Sequence, residues 1–133
     1  MNHDRAIILV DHGSRREAAN RHLEGLAALV ADQRTDWVIR IAHLELAEPS
    51  VPAVIDECVQ VGAREVILHP FFLLPGRHTV VDLPEHAESA RRRHPGVMIR
   101  ITETLGLDPR LVSIVLDRID QAVETAAQEA DEA

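Results

Sequence analysis

Cysteine is nearly missing from these 133 residues: Cys58 stands alone. That excludes an intrachain disulfide and any zinc or iron–sulfur site built from several cysteines of one chain. Long apolar runs are missing too. No stretch approaches the roughly 18 unbroken apolar residues of a membrane helix, and Met1-Asn2-His3-Asp4-Arg5 lacks a signal-peptide layout. The expectation is a soluble, cytoplasmic protein with no membrane partner. Lysine is absent altogether, so all 14 basic residues are arginines, against 22 acidic ones, for a formal charge of −8. Such an excess argues against a nucleic-acid partner. Arginine keeps its charge and grips a carboxylate with two parallel hydrogen bonds, so an acidic protein can still take an anionic ligand through a few placed arginines. No internal repeat is visible.

What is present is one domain's worth of chain with 46% apolar residues, enough for a core. Ala6–Val10 is a short unbroken apolar run, as in a strand buried on both faces, and Asp11-His12-Gly13-Ser14 then reads as a loop. From about Arg16 to Arg34 the apolar residues Ala19, Leu23, Leu26, Ala27 and Val30 keep helical spacing. Trp37–Ala42 makes a second strand. Ser50 caps a second helix that carries Val51, Val54, Ile55, Cys58 and Val61 inward and stops at Gly62. Glu65–Leu68 is a third strand, followed by a long non-periodic loop from His69 to His78. Asp82-Leu83-Pro84-Glu85 has the form of a helix start with Asp82 as cap, and this third helix runs to about His94. Val97–Ile101 alternates like an edge strand, and Asp108-Pro109 caps a last helix with Leu111, Ile114, Val115, Ile119 and Ala122 inward. The domain is expected to span residues 1–123, with 124–133 an acidic, disordered tail.

This order predicts a single doubly wound, flavodoxin-like α/β domain, with four parallel strands, helices on both faces and right-handed crossovers. Ligands of such sheets sit outside the carboxyl ends of the strands, near the switch point. Three polar loops leave those ends. The first carries His12, the second His43 and Glu45, and the third Arg77 and His78. Two imidazoles and a carboxylate converging there suit a borderline divalent ion, since neutral histidine and carboxylate both bind such ions and accept protons. His12 and His78 stand on different loops, with no His-x-x-x-His or Cys-x-x-Cys pair, so the metal would be held weakly and in passing. Phe71-Phe72-Leu73-Leu74 is either core or dimer-interface packing, or a wall for a flat hydrophobic ligand. His3, His22, His86 and His94, at a terminus or on helices, read as surface or packing residues; His43 and His69 end strands.

Taken together, Leu9-Val10-Asp11-His12-Gly13-Ser14-Arg15, the block from Ala42 to Ser50, and Pro70-Phe71-Phe72-Leu73-Leu74-Pro75-Gly76-Arg77-His78 followed by Asp82-Leu83-Pro84 resemble the small class II chelatases that act on sirohydrochlorin. The resemblance covers nearly the whole chain, and its third block is the most specific. It implies insertion of Fe(II) or Co(II), as substrate, into a flat tetrapyrrole rimmed with carboxylates, in siroheme or cobalamin synthesis. His12 and His78 would be the metal-binding, proton-accepting pair and Glu45 their acidic partner. Phe71, Phe72 and Leu74 would line the macrocycle, while Ser14, Arg15 and Arg77 meet its rim. The resemblance also implies a homodimer. Some siroheme ferrochelatases carry an iron–sulfur cluster on cysteines near the C-terminus; this chain has none there, so no cluster and no permanently bound cofactor are expected. Two other readings compete. One is a metal or tetrapyrrole carrier without turnover. The other is a histidine phosphatase, in which an arginine precedes the histidine; here Asp11 precedes His12 and would repel a phosphate.

Overall fold

A computed structural model describes residues 4–132; His3, whose reading is given above, and Ala133 lie outside the described residues. The strands are β1 (Arg5–Asp11), β2 (Val38–His43), β3 (Glu65–Pro70) and β4 (Met98–Ile101), and the helices α1 (Glu17–Gln33), α2 (Val51–Gln60), α3 (Leu83–Arg93) and α4 (Arg110–Glu132). The strand order is β2-β1-β3-β4 with every pairing parallel. Since β2 and β3 flank β1 on opposite sides, the chain reverses its direction of travel there, and the switch point of the doubly wound fold falls at the end of β1. Helices over both faces of β1 explain why it is an unbroken apolar run rather than an alternating one.

Burial is lopsided. One face carries Ala6, Ile8, Val10, Val66, Leu68 and Ile99 into a single cluster with Val51, Val54 and Ile55 of α2 and Leu83, Ala87 and Ala90 of α3. Fully burying each Ile or Leu contributes about 1.5–3 kcal/mol, so this layer holds most of the stability. On the other face α1 packs on β2 and β1, where Leu9 and Leu23 are buried. Ser50 caps α2 through its hydroxyl, which accepts from the Ala53 amide at 3.3 Å.

Three expectations need correction. Asp82 is not a cap. It lies in αR conformation at the end of a π-helix, His78–Asp82, that runs directly into α3, and its carboxylate is engaged by His78. His78 therefore opens that π-helix instead of ending a loop. The last helix does not turn its apolar residues inward: no side chain of α4 is buried, and Val112, Ile114, Val115, Leu116, Ile119 and Val123 are all exposed. Nor does order stop at 123. Helix α4 continues through Glu132, because residues 124–132 are alanine, acid, glutamine and threonine with no glycine or proline to end it.

Candidate metal centre

His12 follows β1 and Glu45 stands two residues beyond β2, and two backbone bonds tie these loops into one unit. The Leu44 amide donates to the Asp11 carbonyl at 2.9 Å and the Glu45 amide to the His12 carbonyl at 2.8 Å, carrying the parallel ladder past the end of the strands. Gly13 is what lets them close. Its φ is +92°, and a Cβ there would collide with the Glu45 carbonyl oxygen and lie 3.0 Å from the His43 Cβ. Beyond Glu45 the Ala47 amide donates back to the Glu45 carbonyl at 2.8 Å around Leu46, whose φ of 64° is rare for a residue with a side chain. Glu45 thus projects from a tight, strained turn.

His78 reaches the same point from the far side. The turn before it is pinned by Thr79, whose hydroxyl accepts from the Gly76 amide at 2.8 Å and donates to the Gly76 carbonyl at 2.9 Å. His78 Nδ1–H donates to Asp82 Oδ2 at 2.7 Å and stands 3.8 Å from Glu45 Oε1. The His12 and His78 rings meet edge to face, centroids 4.6 Å apart. One ligand atom each from His12, Glu45 and His78 fits within a 4.8 Å span.

The hydrogen bonds say what that span can hold. His12 Nδ1–H donates to the Gly13 carbonyl at 3.2 Å, and Nε2 faces Glu45 Oε2 at 3.3 Å. A lone pair facing a carboxylate is repulsive unless a proton or a cation lies between them. Imidazole nitrogen and carboxylate oxygen suit first-row divalent ions, and three ligands form an incomplete shell with room for exchange. The side chains are 41%, 51% and 31% exposed, so the centre is an open mouth rather than a closed structural site. Beside it runs a cleft of about 460 Å³ lined by Pro70, Pro75, Thr79, Val80, Thr102 and Leu105.

The remaining expected residues divide. Phe71 and Phe72 are half-buried, whereas Leu74 is exposed. The Ser14 hydroxyl accepts from the Arg16 amide at 3.0 Å and braces the entry to α1. Arg15 and Arg77 are exposed. Among the other histidines, His69 donates from Nδ1 to the Thr102 hydroxyl at 2.7 Å, and burial holds its pKa below the usual imidazole value. His94 Nε2 pairs with Asp56 at 2.7 Å. Two carboxylates have partners that the sequence reading did not give them. Asp82 holds His78, a contact foreshadowed by the His78-x-x-x-Asp82 spacing, and Asp11 accepts from the buried His43 Nδ1 at 2.5 Å directly behind His12. The Asp11–His43 pair joins residues 32 apart in the chain, and no local pattern announces it.

A family model described as CbiX matches residues 6–122. A chloroplastic sirohydrochlorin ferrochelatase of Arabidopsis thaliana is 40% identical over 126 residues, covering 95% of this chain and 56% of that protein. A sirohydrochlorin cobaltochelatase of Methanothermobacter thermautotrophicus is 30% identical over 132 residues, with 88% and 92% covered. The solved sirohydrochlorin chelatase SirB of Bacillus subtilis subspecies spizizenii, in complex with cobalt, superposes with a TM-score of 0.83 at 30% identity over 91% of this chain and 51% of that one. The chain thus spans about half the length of the plant and Bacillus proteins and nearly all of the archaeal one.

Proposed function

Since the chain belongs to the CbiX family, we propose that it inserts Fe(II) or Co(II) into sirohydrochlorin. The observation that carries this reading is the convergence of His12, Glu45 and His78 at the carboxyl ends of the strands, with one ligand atom from each inside a 4.8 Å span. Metalation has two demands: the ion must lose water, and two pyrrole N–H protons must leave as the four nitrogens take the metal. Three loose ligands meet the first, since each replaces a water without completing the shell. Their basic groups meet the second once the ion moves from protein to macrocycle, because the vacated imidazole or carboxylate is then free to take a proton. The ion is a substrate here, and the reaction needs no resident group.

Phe71, Phe72 and Leu74 are assigned to the macrocycle face, and Ser14, Arg15 and Arg77 to its carboxylate rim, where the guanidinium groups provide charge-assisted hydrogen bonds. The working unit is a homodimer. Its support is the run of exposed apolar side chains on α4, which a lone chain leaves in water. The test is anaerobic metalation of sirohydrochlorin followed by its absorbance change, with Fe(II), Co(II) and Ni(II) in turn. Acceleration over the spontaneous rate with iron and cobalt is the expected result. Tight binding of sirohydrochlorin without acceleration would identify a carrier, and activity confined to nickel would overturn the metal assignment.

A further inference from the structure

The two imidazoles at the centre are backed differently. His12 bonds through Nδ1 to the carbonyl of its own neighbour, Gly13, at 3.2 Å, a long contact to a neutral acceptor. Asp11, the carboxylate next to it in the chain, is turned to His43 instead. His78 meets the Asp82 carboxylate through Nδ1 at 2.7 Å. A carboxylate at neutral pH has no proton to give, so the proton in that short bond belongs to the ring. Glu45 does not compete for it, because its Oε1 stands 3.8 Å from the same nitrogen, beyond hydrogen-bond length. Nδ1 is therefore engaged, and Nε2 is the nitrogen that His78 has left to offer an ion.

Local structure sustains that bond. His78 and Asp82 begin and end one π-helical turn, which closes where the Leu83 amide donates to the His78 carbonyl five residues back. Residues four apart come to the same side of a helical turn, so the carboxylate is brought to the ring by the turn itself. Leu83 is fully buried and belongs to the main apolar cluster. Asp82 is thus carried by the neighbour of a core anchor, whereas His78 follows the exposed Arg77. The bond passes the firmness of the start of α3 to a ring that would otherwise turn about its own side-chain torsions.

We propose that Asp82 is a positioning residue of the metal centre: it holds His78 in the Nδ1–H tautomer, makes Nε2 the ligand atom, and strengthens that ligand with its charge while standing clear of the ion. The inference rests on the metal-site reading above and deepens it. A neutral imidazole left to itself carries its proton mainly on Nε2, where it blocks the lone pair that an ion needs. Loss of a hydrogen-bond partner behind a ligating histidine weakens metal affinity by about 10–100-fold. Asp82 also makes the two histidines unequal, with His78 held ready and His12 able to take either tautomer.

The test uses the full chain with Co(II) alone as the probe. In two-bond 1H–15N correlation spectra of the wild-type protein at about pH 8, above the usual imidazole range, His78 should carry its proton on Nδ1. A proton on Nε2 overturns the proposal without any substitution. Asp82→Asn keeps the shape, loses the charge and can turn an N–H toward the ring, so the His78 proton should move to Nε2. In this variant Co(II) affinity measured by calorimetry and kcat for cobalt insertion should each fall at least about tenfold, with KM for sirohydrochlorin within about twofold of wild type. An unchanged Co(II) affinity counts against the assignment. Added to His78→Ala, the same substitution should cost no further affinity, because Asp82 acts through that ring. His78→Ala with wild-type Co(II) affinity would remove the metal-site reading itself, while the tautomer of His78 would still decide the claim about Asp82. A second loss as large as the first in the double variant would show Asp82 acting on its own and overturn the positioning role.

Discussion

Gly13→Ala probes the junction that brings His12 and Glu45 together. Two costs add. A β-carbon at φ +92° is strained by about 1–2 kcal/mol, and the added methyl collides with the Glu45 carbonyl, which is backbone and cannot rotate aside. The loop after β2 must move outward, weakening the Glu45-to-His12 backbone bond. The expected total is about 2–4 kcal/mol lost, within the 5–15 kcal/mol typical of a domain, so the variant should still fold. Urea unfolding measures the loss, and calorimetric titration with Co(II) measures the site, where affinity should fall at least tenfold as Glu45 leaves its place. Gly25→Ala in α1 is the control: a Cβ there meets nothing within 4 Å, so it should stabilise by about 0.5–1 kcal/mol through helix propensity. A Gly13→Ala protein within about 0.5 kcal/mol of wild type, or one that binds Co(II) unchanged, refutes this account of the junction.

His12→Ala and His78→Ala should each abolish most metalation yet shift stability by under about 1 kcal/mol, since both rings are partly exposed; near wild-type turnover in either variant removes that residue from the site. The Asp56 carboxyl is held below its ordinary value of 3.8, chiefly by the hydrogen bond from His94 and then by Arg93. A depressed carboxyl stabilises the fold above its unfolded value and loses that contribution as pH falls through the folded one. Asp56→Ala should therefore cost up to about 1 kcal/mol at pH 7, screened by solvent, and the gap to wild type should narrow below about pH 4; a gap that widens on acidification reverses the sign. Cys58, fully buried with its thiol pushed up to about 11, should resist aromatic disulfide reagents in the native protein and react once in denaturant. Stoichiometric labelling of the folded chain contradicts that burial.

Much of the architecture was legible because hydrophobic period and punctuation are local. The run Ala6–Val10, the Ser50 cap and the stop at Gly62 each carry their own signal, and from four βα units the parallel sheet follows. The convergence of the three candidate ligands was legible for a related reason. In a doubly wound sheet the carboxyl ends of the strands converge, so residues just past strand ends, His12 and Glu45, meet without knowledge of the side chains between. Two things were not legible. Helical spacing in α4 shows that one face is apolar and says nothing about which chain covers it, so the inward reading failed. The Asp82-Leu83-Pro84-Glu85 pattern satisfies a cap rule, but the chain is already helical four residues earlier, and a π-helix has no sequence period that separates it from a loop.

The centre joins parts of unequal permanence. His12 continues β1, which is hydrogen-bonded along both edges, and Glu45 is bonded to it. In hydrogen-exchange terms such amides open only when the whole domain unfolds. His78 sits on a single wide turn whose side chains are all at least partly exposed, a segment that opens in smaller, more frequent excursions. With an ion held as proposed, such an excursion would remove one ligand and leave two in place. Departure of the ion would then be sequential, and its residence time would follow the local opening free energy of residues 76–82. Substitutions confined to that turn would lengthen or shorten the dwell of the ion without altering the melting temperature of the domain.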